Sequence, residues 1–401
     1  MTPSLPPIRN ILIISPYYTG HGGETERVIE KLIKEIAFTA RCQFTWSASD
    51  LAPLPSLNGH TLLPMTTHNL LERSIGLAWP LWSIRSLRQL VEAIAETECV
   101  WLHNTLSFGN LFAYIIARRH KKPILITQHH DFTAQQNPLL RRILSFLDRR
   151  ITQPILCAVD QVVFTSDRVG EDYNRRIGFE HPVKIITNSV ELRTFNPPMM
   201  EKRQYLRQSF ALRADQPVLL YVGDLMEQKG LAVIHNLAQL LPRWRFWLAG
   251  TSRRGLGNVD PIAWQLPNVH VFPDRQGSDL AELYQAADLL ILPGQNDTFP
   301  LAAQEALACA LPVLCSPAIA AGSQLASSHL HQAEIWPDDP ARTATYWAQR
   351  LQNFPWGLPL AAPHVALSEF AQIAWSWPAV ADAYSDIFNT IVPAEPHKEA
   401  A

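Results

Sequence analysis

The sequence predicts an α/β protein made of two doubly wound, parallel-sheet domains, and three observations carry that expectation. Short, continuous apolar runs recur along the chain, which suits strands buried on both faces of a parallel sheet. Segments with helical spacing of apolar residues separate these runs, as crossover connections require. A stretch rich in proline and charge, Asn196-Pro197-Pro198 followed by residues 201–213, divides the series in two. The length of 401 residues agrees, since it suits two or three domains rather than one.

The first strand is Ile11-Leu-Ile-Ile-Ser15, ended by Pro16. A loop with Gly20, Gly22 and Gly23 follows, and then Val28, Leu32 and Ile36 stand at helical spacing within 24–36. Strand, glycine loop and helix in this order open a nucleotide-binding type of α/β unit. Cys99-Val-Trp-Leu102 and Ile124-Leu-Ile-Thr127 are further strands, with a helix-like segment at 111–119 between them. Residues 161–165 and 183–186 continue the series. After the linker, Val218-Leu-Leu-Tyr-Val222 leads through Gly223 to a helix over 231–241. Strands at 246–249, 269–272, 289–292 and 313–315 follow, and there is no short repeat.

Hydrophobic residues make up 47% of the chain and charged ones 17%, a composition that excludes disorder as the main state. A net charge of −2 argues against a nucleic-acid binder that relies on bulk charge. The charge is uneven: residues 1–196 hold 21 bases and 17 acids, and residues 197–401 hold 13 and 19. The early bases cluster at Arg118-Arg119-His120-Lys121-Lys122, Arg141-Arg142, Arg149-Arg150 and Arg175-Arg176, with Arg85 and Arg88 beside Trp79 and Trp82. Such clusters read as solvated helix faces or as contacts to anionic lipid headgroups or a phosphorylated acceptor. Five widely spaced cysteines without a CxxC pair fit a reducing cytosol. The first ten residues hold three prolines and no apolar core, so no signal peptide is expected there. The uncharged stretch 306–333 is broken by Pro312, Pro317 and Gly322, which predicts a buried helix, strand and loop rather than a membrane span.

The strongest chemical signal is Ala287-Asp-Leu-Leu-Ile-Leu-Pro-Gly-Gln-Asn-Asp-Thr-Phe-Pro300 and the helix after it. A buried strand runs into a loop with Asp297, then Phe299-Pro300, then a helix carrying Glu305. Pro300 suits the first helical position, where its missing N–H costs nothing. The free N–H groups of that helix start form an anion or sugar-hydroxyl site. Asp297 and Glu305 can share one side, because eight residues return the chain after about two turns. An acid in so apolar a stretch is costly unless it has partners.

This segment resembles the donor-binding motif of retaining glycosyltransferases of family 4, glycosyl transferases group 1. The matching run is Glu305-Ala-Leu-Ala-Cys-Ala310-Leu-Pro312-Val313, with Asp297 as the first acid. The resemblance implies the GT-B architecture, two Rossmann-like domains facing a cleft. Their bounds would be 1–196 on the acceptor side and 197–375 on the nucleotide-sugar side. A C-terminal helix over 376–392 would cross back to the first domain, and 393–401 would be a disordered tail. Other segments agree in order: Ser15-Pro16-Tyr17 to Gly22-Gly23-Glu24 with the glycine loop, and Thr127-Gln128-His129-His130-Asp131 with the T-x-H segment. Asn188-Ser-Val-Glu191 with Phe195 and Pro197 resembles the exit from the first domain, and Trp377 through Tyr384 to Phe388 the crossing helix.

By this resemblance His129, His130 and Asp297 are the catalytic candidates. Gly22, Gly23, Lys229, Arg253, Arg254, Thr298, Phe299, Leu301 and Glu305 are the donor-binding ones. On sequence alone, histidines at a strand end are structural more often than catalytic, and Cys309 and Cys315 are small core residues. The implied activity is transfer of a hexose, with retention, from a nucleotide-diphosphate sugar to a glycan, lipid-linked or small-molecule acceptor. No cofactor beyond that co-substrate is expected. No metal is expected either, since neither metal-ligand spacing nor a D-x-D after a strand is present. Cell-envelope or polysaccharide biosynthesis in the cytoplasm, peripheral to an anionic membrane, would be the setting.

Three departures stand out. Asp297 replaces the usual Glu, Ala310 the usual glycine, and Asp224 stands where Leu220-Tyr-Val-Gly223-Asp224 to Lys229-Gly230 would have an arginine. Arg253 or Arg254 could supply that charge. A catalytically degenerate GT-B scaffold and a GT-B nucleotide-sugar epimerase therefore remain open, whereas a dinucleotide dehydrogenase lacks its G-x-G-x-x-G.

Overall fold

The computed structural model describes residues 9–21, 24–40, 42–69, 79–129, 138–179, 181–213, 215–250, 258–294, 300–354 and 362–392. The chain forms two compact units, Met1–Asn188 with Trp377–Ala401, and Ser189–Ser376. The division falls eight residues before the expected 196/197 boundary. Val190 and Phe195 explain this, because both are buried in the core of the second unit. The 393–401 tail lies outside the described residues.

In the first unit the strands are β1 (Arg9–Tyr17), β2 (Cys42–Ser49), β3 (Thr61–Met65), β4 (Thr67–His68), β5 (Leu81–Trp82), β6 (Cys99–His103), β7 (Ile124–Gln128), β8 (Gln161–Phe164) and β9 (Lys184–Ile185). Seven form one parallel sheet in the order β3-β2-β1-β6-β7-β8-β9, and β4 and β5 make a separate antiparallel pair. Ile11 to Ile14 are almost wholly buried because helices cover both faces. The helices are α1 (Glu24–Ala40), α2 (Ile84–Glu96), α3 (Phe108–Arg119), α4 (Pro138–Leu147), α5 (Gln153–Ala158) and α6 (Asp167–Arg176), with a π turn at Asp148–Thr152. The turn's buried Asp148 accepts from Tyr173 Oη at 2.6 Å and Gln153 Nε2 at 3.0 Å. Trp82 is buried, its ring filling the space where a Cβ on Gly109 would lie. That corrects the expectation of Trp82 as a membrane-facing residue.

In the second unit α7 (Met200–Ser209) precedes β10 (Val218–Val222), α8 (Leu231–Leu240), β11 (Arg245–Ala249), β12 (Val269–Phe272), α9 (Gly277–Ala286), β13 (Leu289–Leu292), α10 (Leu301–Ala308), β14 (Val313–Cys315), α11 (Pro317–Ala320), β15 (His331–Gln332), α12 (Pro340–Gln352) and α13 (Ala362–Trp375). The sheet is parallel, ordered β12-β11-β10-β13-β14-β15. Within the charged linker, α7 is clasped by Asp288, which accepts from Arg203 at 2.5 Å and Arg207 at 3.0 Å. The same arginines cap the carbonyls of Gln285, Ala286 and Ala287 at the end of α9. Ser189 Oγ and Val190 N both donate to Trp375 O, tying entry to exit of this unit. The last helix, α14 (Trp377–Ile391), belongs to the first unit, where it packs on α1 and against Trp101. Among the described residues no helix is long and apolar enough to cross a membrane.

Candidate active site

Each sheet has one place where strand order reverses, and ligands of doubly wound sheets bind beyond the carboxyl ends of the strands there. In the second unit it lies between β10 and β13. The turn after β10 ends in a single 3-10 turn, Glu227–Lys229, and then Gly230 at φ 81°. A Cβ on Gly230 would sit 2.7 Å from Pro293 O, so only glycine lets this turn press against the end of β13. Lys229 is thereby fixed beside Gly294, a Cβ on which would lie 3.7 Å from Lys229 Cα. Gly250, after β11, is tighter still: its Cβ would meet Gly223 O at 1.9 Å. Asp224, half-buried, lies in the same turn, and its carbonyl accepts from Tyr221 Oη at 2.8 Å.

Glu305 is 8% exposed, on the second turn of α10. Tyr284 Oη, from α9, donates to its Oε2 at 2.8 Å, and the Phe195 ring packs edge-on against Tyr284. A buried carboxylate is tolerable only with such donors. Beside it, burial first and the Glu305 charge second push the Cys309 thiol well up, which keeps it inert. Pro300 is the N-cap of α10, one place earlier than expected, and its carbonyl accepts from Ala303 N. Leu301, half-buried, begins the helix. Ala310 has φ 57°, with Ala310 N bonded to Leu307 O and Leu311 N to Ala306 O. This is a Schellman end, whose left-handed residue is usually glycine. The family's glycine at this place is explained by that conformation.

In the first unit the reversal lies between β1 and β6. There β6 ends in His103, and Asn104 turns left-handed at φ 65°. Asn110 of α3 holds the kink by donating from Nδ2 to the carbonyls of His103 and Asn104, both at 2.7 Å. Asn104 Oδ1 in turn accepts from His129 N at 2.9 Å. His129 is 5% exposed, and its Nε2 lies 2.9 Å from His103 Nδ1. Burial alone lowers the His103 pKa to about 3, so that ring is neutral. Thr105 Oγ1 donates to Gln128 Oε1, and Trp101 Nε1 to Thr127 Oγ1, which pairs with Tyr384 of α14.

Of the site residues expected from sequence, His129, Lys229, Leu301 and Glu305 are placed as described. Gly22, Gly23, His130, Arg253, Arg254, Asp297, Thr298 and Phe299 lie outside the described residues. Sequence reasoning missed His103, Asn104, Asn110 and Tyr284. For the first two a signal existed: polar His-Asn directly after a buried apolar run marks the carboxyl end of a strand. No group of three His, Cys, Asp or Glu among the described residues is placed to hold a metal.

Solved structures share this fold over nearly the whole chain. Sucrose-phosphate synthase from Thermosynechococcus elongatus matches with a TM-score of 0.68 at 19% identity, covering 95% of this chain and 98% of that one. The Anabaena protein HepE, solved with UDP and glucose, matches with 0.69 at 15%, covering 95% and 99%. The class is therefore the two-domain GT-B glycosyltransferase fold. The profile described as Glycosyltransferase Family 4 matches residues 65–194, and that of Glycosyl transferases group 1 matches residues 202–333. The first match falls almost wholly in the first unit and the second in the second, together covering more than half of the chain, and the chain belongs to the GT-B glycosyltransferases. Curated relatives include the D-inositol 3-phosphate glycosyltransferases of Xylanimonas cellulosilytica, 30% identical over 175 residues, and Kineococcus radiotolerans, 28% over 246. The matches span 41% and 51% of this chain and 42% and 56% of those relatives, about half their length.

Proposed function

We propose that the chain is a retaining hexosyltransferase that takes a sugar from a nucleotide-diphosphate donor and needs no metal ion. The observation that carries this reading is the buried Glu305 carboxylate, held by Tyr284, on the helix that follows the switch-point strand β13. A carboxylate so placed suits vicinal ribose hydroxyls, and Lys229 suits the diphosphate. Arg253 or Arg254, the N–H groups from Leu301 onward, and Thr298, Phe299, Gly22 and Gly23 complete the donor set. His129, His130 and Asp297 act at the reacting sugar. The diphosphate leaves as these cations and N–H groups stabilise its growing charge. The acceptor oxygen bonds to the anomeric carbon on the same face, and its proton passes to the departing phosphate oxygen. HepE, solved with UDP and glucose, supports a nucleotide-sugar donor.

The acceptor is a glycan, a lipid-linked or a small molecule, and the setting is cell-envelope or polysaccharide synthesis at the cytoplasmic face of a membrane. Support for membrane attachment comes from α4, where exposed Ile143 and Phe146 lie between Arg141-Arg142 and Arg149-Arg150. Each such base adds about 1 kcal/mol near an anionic surface. Co-sedimentation with anionic vesicles at low salt is expected, and equal recovery with neutral vesicles would refute it.

Calorimetric titration with a panel of nucleotide sugars tests the main reading, with heat expected for at least one donor. Glu305→Ala should weaken that donor by about 1.5–3 kcal/mol, the scale of a charge-assisted hydrogen bond, in a folded protein. Absence of heat across the panel would favour the scaffold, and turnover of donor without acceptor the epimerase.

A further inference from the structure

Between α4 and α6 lies an open pocket of about 270 Å³, lined by Ser145, Asp148, Arg149, Gln153 and Arg176. It forms at the π turn, where Gln153 N bonds to Asp148 O five residues back. At this turn Asp148 is drawn inward, 2% exposed, while Arg149 stays exposed. Tyr173 Oη and Gln153 Nε2 hold the Asp148 carboxylate, and Arg176 Nη1 lies 3.9 Å from its Oδ2. The Arg176 charge therefore offsets that of Asp148. Arg149 makes no ion pair among the described residues, so it leaves the pocket with a net positive charge. Helix α6 starts just past the carboxyl end of β8 and runs back along the sheet, so Arg176 lies about 14 Å toward the amino ends of the strands. A ligand of this pocket is therefore not the molecule that meets the donor sugar at the carboxyl ends.

The lining offers donors and acceptors together. The Arg149 guanidinium and the Ser145 hydroxyl donate, which suits phosphate oxygens. The Asp148 carboxylate keeps lone pairs beyond its two donors, and Gln153 turns its amide nitrogen to Asp148, leaving Oε1 to accept. These two suit hydroxyls. A bare phosphate would face the Asp148 carboxylate, and a neutral sugar would gain nothing from the charge of Arg149. On α4, Ile143 and Phe146 flank Ser145 at 48% and 58% exposure, and Arg150 lies 5.7 Å above the Phe146 ring. Apolar side chains on the rim of a polar pocket match a ligand with a hydrocarbon tail. We propose that this pocket takes the headgroup of an anionic, glycerol-type phospholipid. Arg149 and Ser145 bind its phosphodiester, Asp148 and Gln153 accept from its diol, and its acyl chains lie along Ile143 and Phe146. The assignment deepens the membrane attachment proposed above and rests on it.

Co-sedimentation of the full chain with phosphatidylcholine vesicles containing equal fractions of phosphatidylglycerol or phosphatidylserine is the test. Both lipids carry one net negative charge, and only the first has a vicinal diol. Binding to phosphatidylglycerol is expected to be about tenfold tighter, the scale of one or two net hydrogen bonds. Ser145→Ala and Gln153→Leu keep the net charge. Each should bring phosphatidylglycerol binding down toward that of phosphatidylserine, which stays unchanged. Arg149→Gln should weaken both, phosphatidylglycerol the more. Should Gln153→Leu not fold, Ser145→Ala decides alone, because it removes only a hydroxyl from a half-buried position. Equal binding of the two lipids, or a preference unchanged in the variants that fold, overturns the pocket and leaves charge-driven attachment standing. Equal recovery with neutral vesicles overturns both. Calorimetric saturation by free glycerol 3-phosphate, as tight as binding to the phosphatidylglycerol vesicles, would make the ligand a soluble polyol phosphate and overturn the lipid.

Discussion

The two switch points of the chain are built by opposite means. In the second unit the ground is backbone: Gly230 and Gly250 let loops approach to distances that no side chain allows, and a buried acid, Glu305, accepts from Tyr284. In the first unit it is a mesh of side chains, with His103, Asn104, Asn110, Thr127 and His129 fastening one another. The difference shows what each half is sensitive to. A site made of close backbone approach breaks when a methyl group is added. A site built around the neutral, buried His103 ring breaks when a proton is added.

The largest effect is expected at Gly250. A Cβ there meets Gly223 O at 1.9 Å, and Gly223 N is itself bonded to Ala249 O, so the ends of β10 and β11 must separate. Gly250→Ala should cost about 4 kcal/mol or more, at the diagnostic end of single substitutions. Denaturant midpoints of the second unit's transition measure it. A loss below about 1 kcal/mol, within the range of ordinary substitutions, would mean the approach is looser than the backbone positions require.

Much of this second-unit framework was legible in the sequence, and the reason is physical. Strands buried on both faces are unbroken apolar runs, so 218–222, 289–292 and 313–315 coincide with β10, β13 and β14, and 269–272 coincides with the half-buried edge strand β12. Lys229-Gly230 and Glu305 stood at recognisable places in those runs. In the first unit β2 and β3 escaped, because Cys42-Gln-Phe-Thr-Trp-Ser mixes polar and apolar residues and β3 lies at the sheet edge. His103 escaped because its partner is 26 residues away, and Tyr284 because Glu305 is 21 residues away. Periodicity reports which face a residue lies on, whereas these pairings depend on sheet order. Trp82 was misread for the same reason: its burial under Gly109 depends on how β5 meets α3.

The first unit's weakness is expected in acid. An unfolded histidine binds a proton near pH 6.5, but folded His103 does so only near 3. Between those values the unfolded state holds the extra proton, so stability rises with pH and falls on acidification. The first unit should lose a few kcal/mol from this group as pH drops from about 6.5 toward 3, a loss absent in His103→Phe. Paired denaturation series across that window give the difference. Parallel curves for the two proteins would show that His103 accepts a proton without penalty.

The smallest effect separates strain from lost function in the second unit. Ala310, fully buried, ends α10 in a left-handed conformation that costs an alanine about 1–2 kcal/mol. Glycine removes that cost but also one buried methyl group, worth about 0.8 kcal/mol. Ala310→Gly should therefore raise stability by no more than about 1 kcal/mol, visible as a small rise in Tm. Donor affinity should not move, because the residue closes a helix end and reaches no ligand by its own side chain. Asp224 is the opposite kind of departure, a charge reversal in the switch-point turn, and Asp224→Arg should change nucleotide affinity without a comparable change in stability. If Ala310→Gly also created donor binding in a chain that otherwise showed none, the alanine would mark a decayed site. If it alters stability alone, Ala310 records tolerated strain, and Asp224 is left as the departure that bears on the donor.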